Sequence, residues 1–284
     1  ATVVIDARYL NGSESGIGRY TENLIRQLLA IDTGLRLHLV THPNRPEPVE
    51  HPRVTQETFR ALACSIRTRL WLARLRDFSD YDLFHSPFNM LPGGLSIPAI
   101  FTLHDIMWVL DPHLCSHRWW ERWTNGAFFQ TVIPWSVDDA SEVMTISDHS
   151  RREIEDHFPE MEGRVHPTYN AVDDYWRPVE PDEGWPLISD IVPPRKKFVL
   201  VVGQEAPYKN HPGALAGFIV AFRDDPDVYF VLVCRLQKNP PARLVELMEH
   251  PDVKHRIINP GYVTREQLRA LYSLARIFLF PSFY

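Results

Sequence analysis

Short apolar runs alternate with helically spaced segments twice along this chain, and a proline-rich stretch separates the two series. The first series starts with Thr2–Asp6, an apolar run closed by a carboxylate. Asn11–Gly18, rich in Gly, Ser and Asn, reads as a loop. Ile17, Tyr20, Leu24, Leu28 and Ile31 then fall at helical spacing. Leu35–Val40 reads as a strand, and Pro43, Pro46, Pro48 and Pro52 mark an irregular stretch. Phe59–Phe78 has helical periodicity, Asp82–His85 and Ala99–Leu103 read as buried strands, and Trp119–Val137 as a helix that Pro134 must kink or end. Ser141–Ile146 is a strand and Asp148–Phe158 a short helix.

Trp176–Pro194 breaks the rhythm with Pro178, Pro181, Pro186, Pro193 and Pro194. It reads as a linker between a first domain, 1–175, and a second, 195–284. The alternation restarts there. Strands are expected at Lys197–Gly203, Tyr229–Cys234, His255–Asn259 and Ile277–Phe280. Helices are expected at His211–Phe222, Pro241–Glu249 and Thr264–Ala275, the last with Thr264 and Gln267 spaced as a capping box. Strands alternating with helices over short connections specify parallel α/β sheets. Two such units are expected to face each other across a cleft, with ligands at the carboxyl ends of the strands. In the second unit the fourth strand is expected beside the first. A chain stopping there leaves an apolar edge open, so the polypeptide is expected to continue past Tyr284 and the second domain to be incomplete here.

Composition excludes several classes. Of 284 residues, 44% are hydrophobic and 23% charged, as in an ordinary globular protein. No apolar run approaches the length of a membrane span, and no charged-then-apolar leader opens the sequence. The formal charge of −6 disfavours a nucleic-acid partner. Three scattered cysteines form neither a disulfide framework nor a metal cluster and suit a reducing cytoplasm. The histidines lack metal spacing, and no nucleophile elbow or P-loop occurs. Trp119, Trp120 and Trp123 suit either a membrane contact or one buried helix face, and the core reading is preferred.

Three segments follow strands and merit chemical weight. In Ser15-Gly16-Ile17-Gly18, the glycines Gly16 and Gly18 either let loop amides meet an anion at a helix N-terminus or simply make a tight turn. His104, with Asp105 behind it, ends a strand; its imidazole either hydrogen-bonds a sugar hydroxyl or is satisfied by backbone. In Gly203–His211, Lys209 puts an ammonium at a helix start, suited to a diphosphate, unless it is an ordinary solvated lysine.

Taken in order, SGIGRYTEN (15–23), Phe84–Pro87, IFTLHD (100–105), VMTISDHS (143–150), YNAVD (169–173), VVGQEAPYKNH (201–211), GYVTREQLRALY (261–272) and IFLFPSFY (277–284) resemble glycosyltransferase family 4, with the GT-B fold of two Rossmann-like domains. The resemblance spans essentially the whole chain. It implies a retaining, metal-independent transfer of a hexose, of mannose or glucose type, with no cofactor beyond the nucleotide-sugar donor, such as GDP-mannose or a UDP-sugar. It implies a glycan or lipid-linked acceptor, a role in bacterial surface polysaccharide synthesis, and a cytoplasmic site that admits peripheral contact with the inner membrane face. It assigns His104 and Asp105 to the reacting centre. Donor binding falls to Gly16, Gly18, Gly203, Gln204, Lys209, Asn210, Tyr262, Val263 and Ser282. Two departures stand out. Gln204 occupies a position where the family usually has arginine, and the E-x7-E element is expected just past Tyr284, so residues 1–284 alone are expected to be inactive. The rival readings are a nucleotide-sugar-binding protein without turnover, and epimerase or phosphorylase chemistry on the same fold.

Overall fold

The structure is a computed structural model that describes residues 1–10, 15–44 and 49–284. Parts of the Asn11–Gly18 loop and the Pro43–Pro52 stretch therefore lie outside the described residues. The chain divides into two units: 1–110 with 125–171, and 111–124 with 172–284.

The first unit carries strands β1 (Thr2–Asp6), β2 (Arg36–Thr41), β3 (Val54–Thr58), β4 (Leu83–Ser86), β5 (Ala99–Thr102), β6 (Glu142–Thr145) and β7 (Val165–Pro167). They form one seven-stranded sheet in the order β3-β2-β1-β4-β5-β6-β7, parallel at every pairing. Its helices are α1 (Gly16–Ile31), α2 (Ile66–Leu75), α3 (Met107–Leu110), and α6 (Asp148–His157). α4 (Pro112–Cys115) groups with the second unit, and α5 (Trp119–Asp139) contributes residues 119–124 there and the rest here. Val4, Phe84, Phe101, Ile133, Val143 and Ile154 are fully buried in one core on this sheet. Ile5, Leu37 and Leu39, with Ile25 of α1, form the core on its other face. Such unbroken apolar strands are what a sheet covered on both faces requires.

The second unit holds β8 (Lys197–Val202), β9 (Val228–Val233), β10 (Ile257–Ile258) and β11 (Ile277–Phe278), with α7 (Pro181–Leu187), α8 (His211–Phe222), α9 (Ala242–Met248) and α10 (Arg265–Leu274). The sheet order is β10-β9-β8-β11, all parallel. The last strand thus lies beside the first, as expected. Thr264 and Gln267 do form a capping box at the start of α10.

Several expectations need correction. The periodic segment Phe59–Phe78 is helical only over α2. Ser65 caps that helix by accepting from Thr68 N at 3.3 Å, and the hydroxyls of Ser65 and Thr68 both donate to the Leu62 carbonyl at 2.7 Å, so the chain before Ser65 cannot join the helical ladder. Strands β3 and β7 are absent from the sequence reading; they are the two edges, where apolar patterning is weakest. The buried stripe of α1 is Gly18, Thr21, Ile25 and Leu29, one residue on from the apolar set, because Thr21 satisfies its hydroxyl on the Ile17 carbonyl at 2.8 Å. Pro134 does not end α5, which runs to Asp139 with Ile133, Ser136 and Val137 buried around and beyond it. Trp119, Trp120 and Trp123 are not core: they are 70%, 49% and 73% exposed. The stretch read as a linker contains α7, which packs on α10 so closely that a Cβ on Gly184 would lie 2.9 Å from Leu274. Pro181 at the first helical turn and two acidic residues behind it explain why a proline-rich segment is helical there.

Candidate functional site

In the first unit the polar residues gather after β4 and β5. The Asn89 amide fixes the turn that carries His104: its Oδ1 accepts from His104 N at 3.1 Å. The His104 Nε2 lies 3.0 Å from the Pro87 carbonyl. A carbonyl only accepts, so Nε2 carries the hydrogen and Nδ1 of the neutral ring keeps a lone pair. Burial pushes the His104 pKa down, which favours that neutral ring. Tyr20 of α1 packs edge-on against it, ring centres 5.0 Å apart. Behind it, the Thr102 hydroxyl bridges the Tyr20 hydroxyl at 3.1 Å and His85 Nε2 at 3.0 Å. Burial holds the His85 pKa down at about 4. Asp105 Oδ1 accepts from Met107 N at 3.0 Å in the turn that leads into α3, and burial raises its pKa.

Of the two readings of the glycine loop, Gly18 takes that of the tight turn. Ser15 Oγ accepts from Gly18 N at 3.0 Å, so this amide is committed to the cap of α1 and unavailable to an anion. Gly16 faces open space: a Cβ added there would meet no atom within 4 Å. A cavity of about 450 Å³ begins there, lined by Gly16, Arg19, Tyr20, Asn23, Thr168 and Tyr169 among others.

In the second unit, two segments some seventy residues apart meet at the carboxyl end of β8. Asn210 Nδ2 donates to the Pro281 carbonyl at 3.3 Å, and Phe283 N donates to the Tyr208 carbonyl at 2.8 Å. These bonds bring Gly203, Gln204, Lys209, Asn210 and Ser282 together. Asn210 is left-handed, at φ 51°, and its Oδ1 caps α8 by accepting from Gly213 N at 3.1 Å. Asn tolerates that conformation better than most residues. Lys209 is half-buried, its ammonium 4.3 Å from the Phe280 ring centre and 4.8 Å from that of Tyr208. Among the described residues no carboxylate pairs with it, and burial lowers its pKa. Ser282 Oγ is buried without a protein partner.

The remaining site residues take separate places. Gln204 donates from Nε2 to the Tyr208 hydroxyl at 3.1 Å. Tyr262 is 79% exposed past β10, and Val263 packs into the core beneath. His211, buried at the start of α8, lies with Nε2 3.0 Å from the Gln204 carbonyl and anchors the loop from below. Sequence reading missed the positioning residues Asn89, His85, Thr102 and Tyr20. For Asn89, His85 and Thr102 the signal was available, as polar residues at or just past the carboxyl ends of apolar strands; Tyr20 lies within α1 and had none.

The sequence model of Glycosyltransferase Family 4 matches residues 15–175, more than half of the chain. The chain belongs to glycosyltransferase family 4. It is 28% identical over 218 residues to O-antigen chain mannosyltransferase B of Escherichia coli, covering 77% of this chain and 55% of that protein. The chain thus spans about half the length of the curated relative it matches. Among solved structures, sucrose-phosphate synthase from Thermosynechococcus elongatus superposes with TM-score 0.65 at 16% identity, over 100% of this chain and 75% of that one. Anabaena HepE in complex with UDP gives 0.59 at 16% identity, over 100% and 74%. At that identity the likeness is one of fold: this family 4 chain has the GT-B fold, its two units each a parallel sheet flanked by helices. No helix among the described residues is long and apolar enough to cross a membrane.

Proposed function

We propose that this family 4 chain belongs to a retaining hexosyltransferase that moves a mannose-type sugar from a nucleoside diphosphate donor to a glycan or lipid-linked acceptor, in surface polysaccharide synthesis at the cytoplasmic face of the membrane. The observation that carries the reading is Lys209: a half-buried ammonium with no carboxylate partner, seated over two aromatic rings at the carboxyl end of β8. A cation held there without a counter-ion is a binding site for an anion, and the leaving diphosphate of a sugar nucleotide fits it. Pro212 has no amide hydrogen and the Gly213 amide is capped by Asn210, so the ammonium outweighs the first-turn amides of α8 as the anion holder.

The chemistry follows from these parts. The anomeric C–O bond breaks, its electron pair goes to the diphosphate, and Lys209 stabilises that charge as it develops. The acceptor hydroxyl attacks from the same face and gives its proton to the departing phosphate oxygen. No pair of protein carboxylates and no metal is required for this route. Neutral His104 accepts a hydrogen bond from a hexose hydroxyl through Nδ1, with Pro87 and Asn89 fixing its orientation. The mannosyltransferase relative supports the sugar type. Gln204, standing where the family usually has arginine, supports a second reading, a nucleotide-sugar-binding protein without turnover. The test is release of nucleoside diphosphate from GDP-mannose with and without a lipid-linked glycan acceptor. It is run on wild-type protein beside Lys209→Ala. Acceptor-dependent release that Lys209→Ala loses supports transfer; tight donor binding by wild type with no release supports the binding protein.

A further inference from the structure

Three strand ends in the second unit line up. Val202 of β8 pairs with Val233 of β9, and Ile258 of β10 with Val231. Counting outward, Gln204, Arg235 and Tyr262 fall in one row across the carboxyl edge of the sheet. Arg235 stands in the middle of that row. Its guanidinium lies 5.7 Å from the Tyr262 ring centre. Among the described residues it has no carboxylate partner, and Tyr262 is itself 79% exposed. None of its donors is taken up by a hydrogen bond or ion pair among the described residues, so the fork of the guanidinium stays free beside the ring.

The position of this pair relative to Lys209 gives it a meaning. Lys209 sits over Phe280, on the β11 side of β8. Arg235 and Tyr262 lie on the opposite side, over β9 and β10. Strands are spaced by just under 5 Å, so the two cations stand roughly 10 Å apart along the sheet edge. That is the reach of a nucleoside from its 5′-phosphate to the far edge of its base. A diphosphate on Lys209 therefore puts the base, not a second phosphate, against Arg235.

We infer that Arg235, held beside Tyr262, reads the donor's nucleobase and selects guanine. The inference rests on the proposed donor site at Lys209 and adds to it the base. The guanidinium edge offers two parallel donors and no acceptor. Guanine answers with two adjacent acceptors, O6 and N7. Uracil presents one carbonyl beside an N–H donor, and adenine one ring nitrogen beside an amino donor, so each leaves one donor of the fork opposed. The same turn holds a further donor: Asn259 spends Oδ1 on Gly261 N at 2.9 Å and keeps Nδ2 buried without a protein partner.

The experiment is calorimetric titration of the protein with GDP, UDP and ADP, for wild type, Arg235→Ala, Arg235→Lys and Lys209→Ala, with circular dichroism confirming the fold of each. The expected result is wild-type binding of GDP about tenfold or more tighter than UDP or ADP, the worth of one bidentate pair. Arg235→Ala and Arg235→Lys both lose that preference while UDP affinity changes less than threefold. Arg235→Lys keeps the charge and loses the fork, so it separates base reading from phosphate binding. Equal loss of GDP and UDP in Arg235→Ala, restored by Lys, overturns the inference and makes Arg235 a phosphate ligand; a wild type that prefers UDP or ADP overturns it too. Either result leaves the donor site standing if Lys209→Ala weakens all three nucleotides. No binding of any nucleotide by wild type, or full binding by Lys209→Ala, overturns the donor site and the inference with it.

Discussion

Arg256 is among the largest fully buried side chains in the protein, at 1% exposure, and it has no acidic partner among the described residues. Its NH1 donates to the carbonyls of Asp225 and Val228 at 2.8 and 2.7 Å, and NH2 to those of Phe222 and Arg223, both at 3.0 Å. Phe222 and Arg223 close α8, so the guanidinium serves as a cap for the carbonyls that a helix C-terminus leaves unpaired, and its charge suits the negative end of the helix dipole. The ring of Phe218 lies 5.6 Å beneath it. Arg256→Met keeps most of the volume and removes all four bonds. Each bond to a charged donor contributes about 1.5–3 kcal/mol, but burying the guanidinium itself costs several, so the bonds do not simply add. Unpaired buried carbonyls cost about 1–3 kcal/mol each, and no longer burying the charge offsets part of the sum, so a net loss of about 3–5 kcal/mol is expected. Urea unfolding followed by circular dichroism reads the loss. Native-state hydrogen exchange localises it: amides of β8 and β9 exchange faster, those of β1 and β4 do not. Arg243→Met, which breaks only an exposed pair with Glu246, serves as control and costs under about 0.5 kcal/mol. If Arg256→Met cost no more than that control, the capping argument would be refuted.

Other consequences are open to measurement. His104→Ala lowers kcat about tenfold or more while donor affinity moves less than threefold; equal losses in both make His104 a binding residue alone. Stability falls as the pH drops from about 6.5 to about 4, because the unfolded chain protonates His85 in that window and the buried folded residue does not. The difference amounts to roughly 3 kcal/mol, and urea midpoints at pH 7 and pH 4 should separate less in His85→Gln than in wild type. The Lys209 pKa is lowered by burial, and an anion bound to it raises it again. Donor affinity therefore holds below the free-site pKa and falls as pH rises through it; a flat profile between pH 7 and pH 10, shared with Lys209→Ala, contradicts the ion pair.

Much of the fold was legible because its period is written in the apolar residues. β1, α1, α6, β8 and α8 have the bounds that alternation and helical spacing demand, within a residue or so. β3 and β7 were hidden because edge strands pair on one side and carry polar residues such as Thr55, Gln56 and His166. α7 was hidden because proline reads as a breaker unless it stands in the first turn. The tryptophans of α5 misled for a related reason: helical spacing says that residues share a face and leaves open whether that face is covered. At the site, the strand-end positions of His104 and Lys209 were visible in sequence. The partners that give them chemical meaning were not. Nothing local announces that Asn89 would clamp His104, or that Phe280 would lie over Lys209 from the far end of the chain. At Gly18 the sequence left open an anion-binding loop or a tight turn, and only the Ser15 hydroxyl that holds its amide decides for the turn.

The central claim is that Lys209 holds the diphosphate of a sugar nucleotide, and phosphorus NMR tests it at the atoms concerned. GDP-mannose is titrated with wild-type protein and with Lys209→Ala, and the two phosphorus resonances are followed. Wild type should shift and broaden both resonances in a saturable manner, and the variant should need about ten- to a hundredfold more protein for the same change. Identical titrations for the two proteins, or no perturbation of either resonance by wild type, would contradict the account.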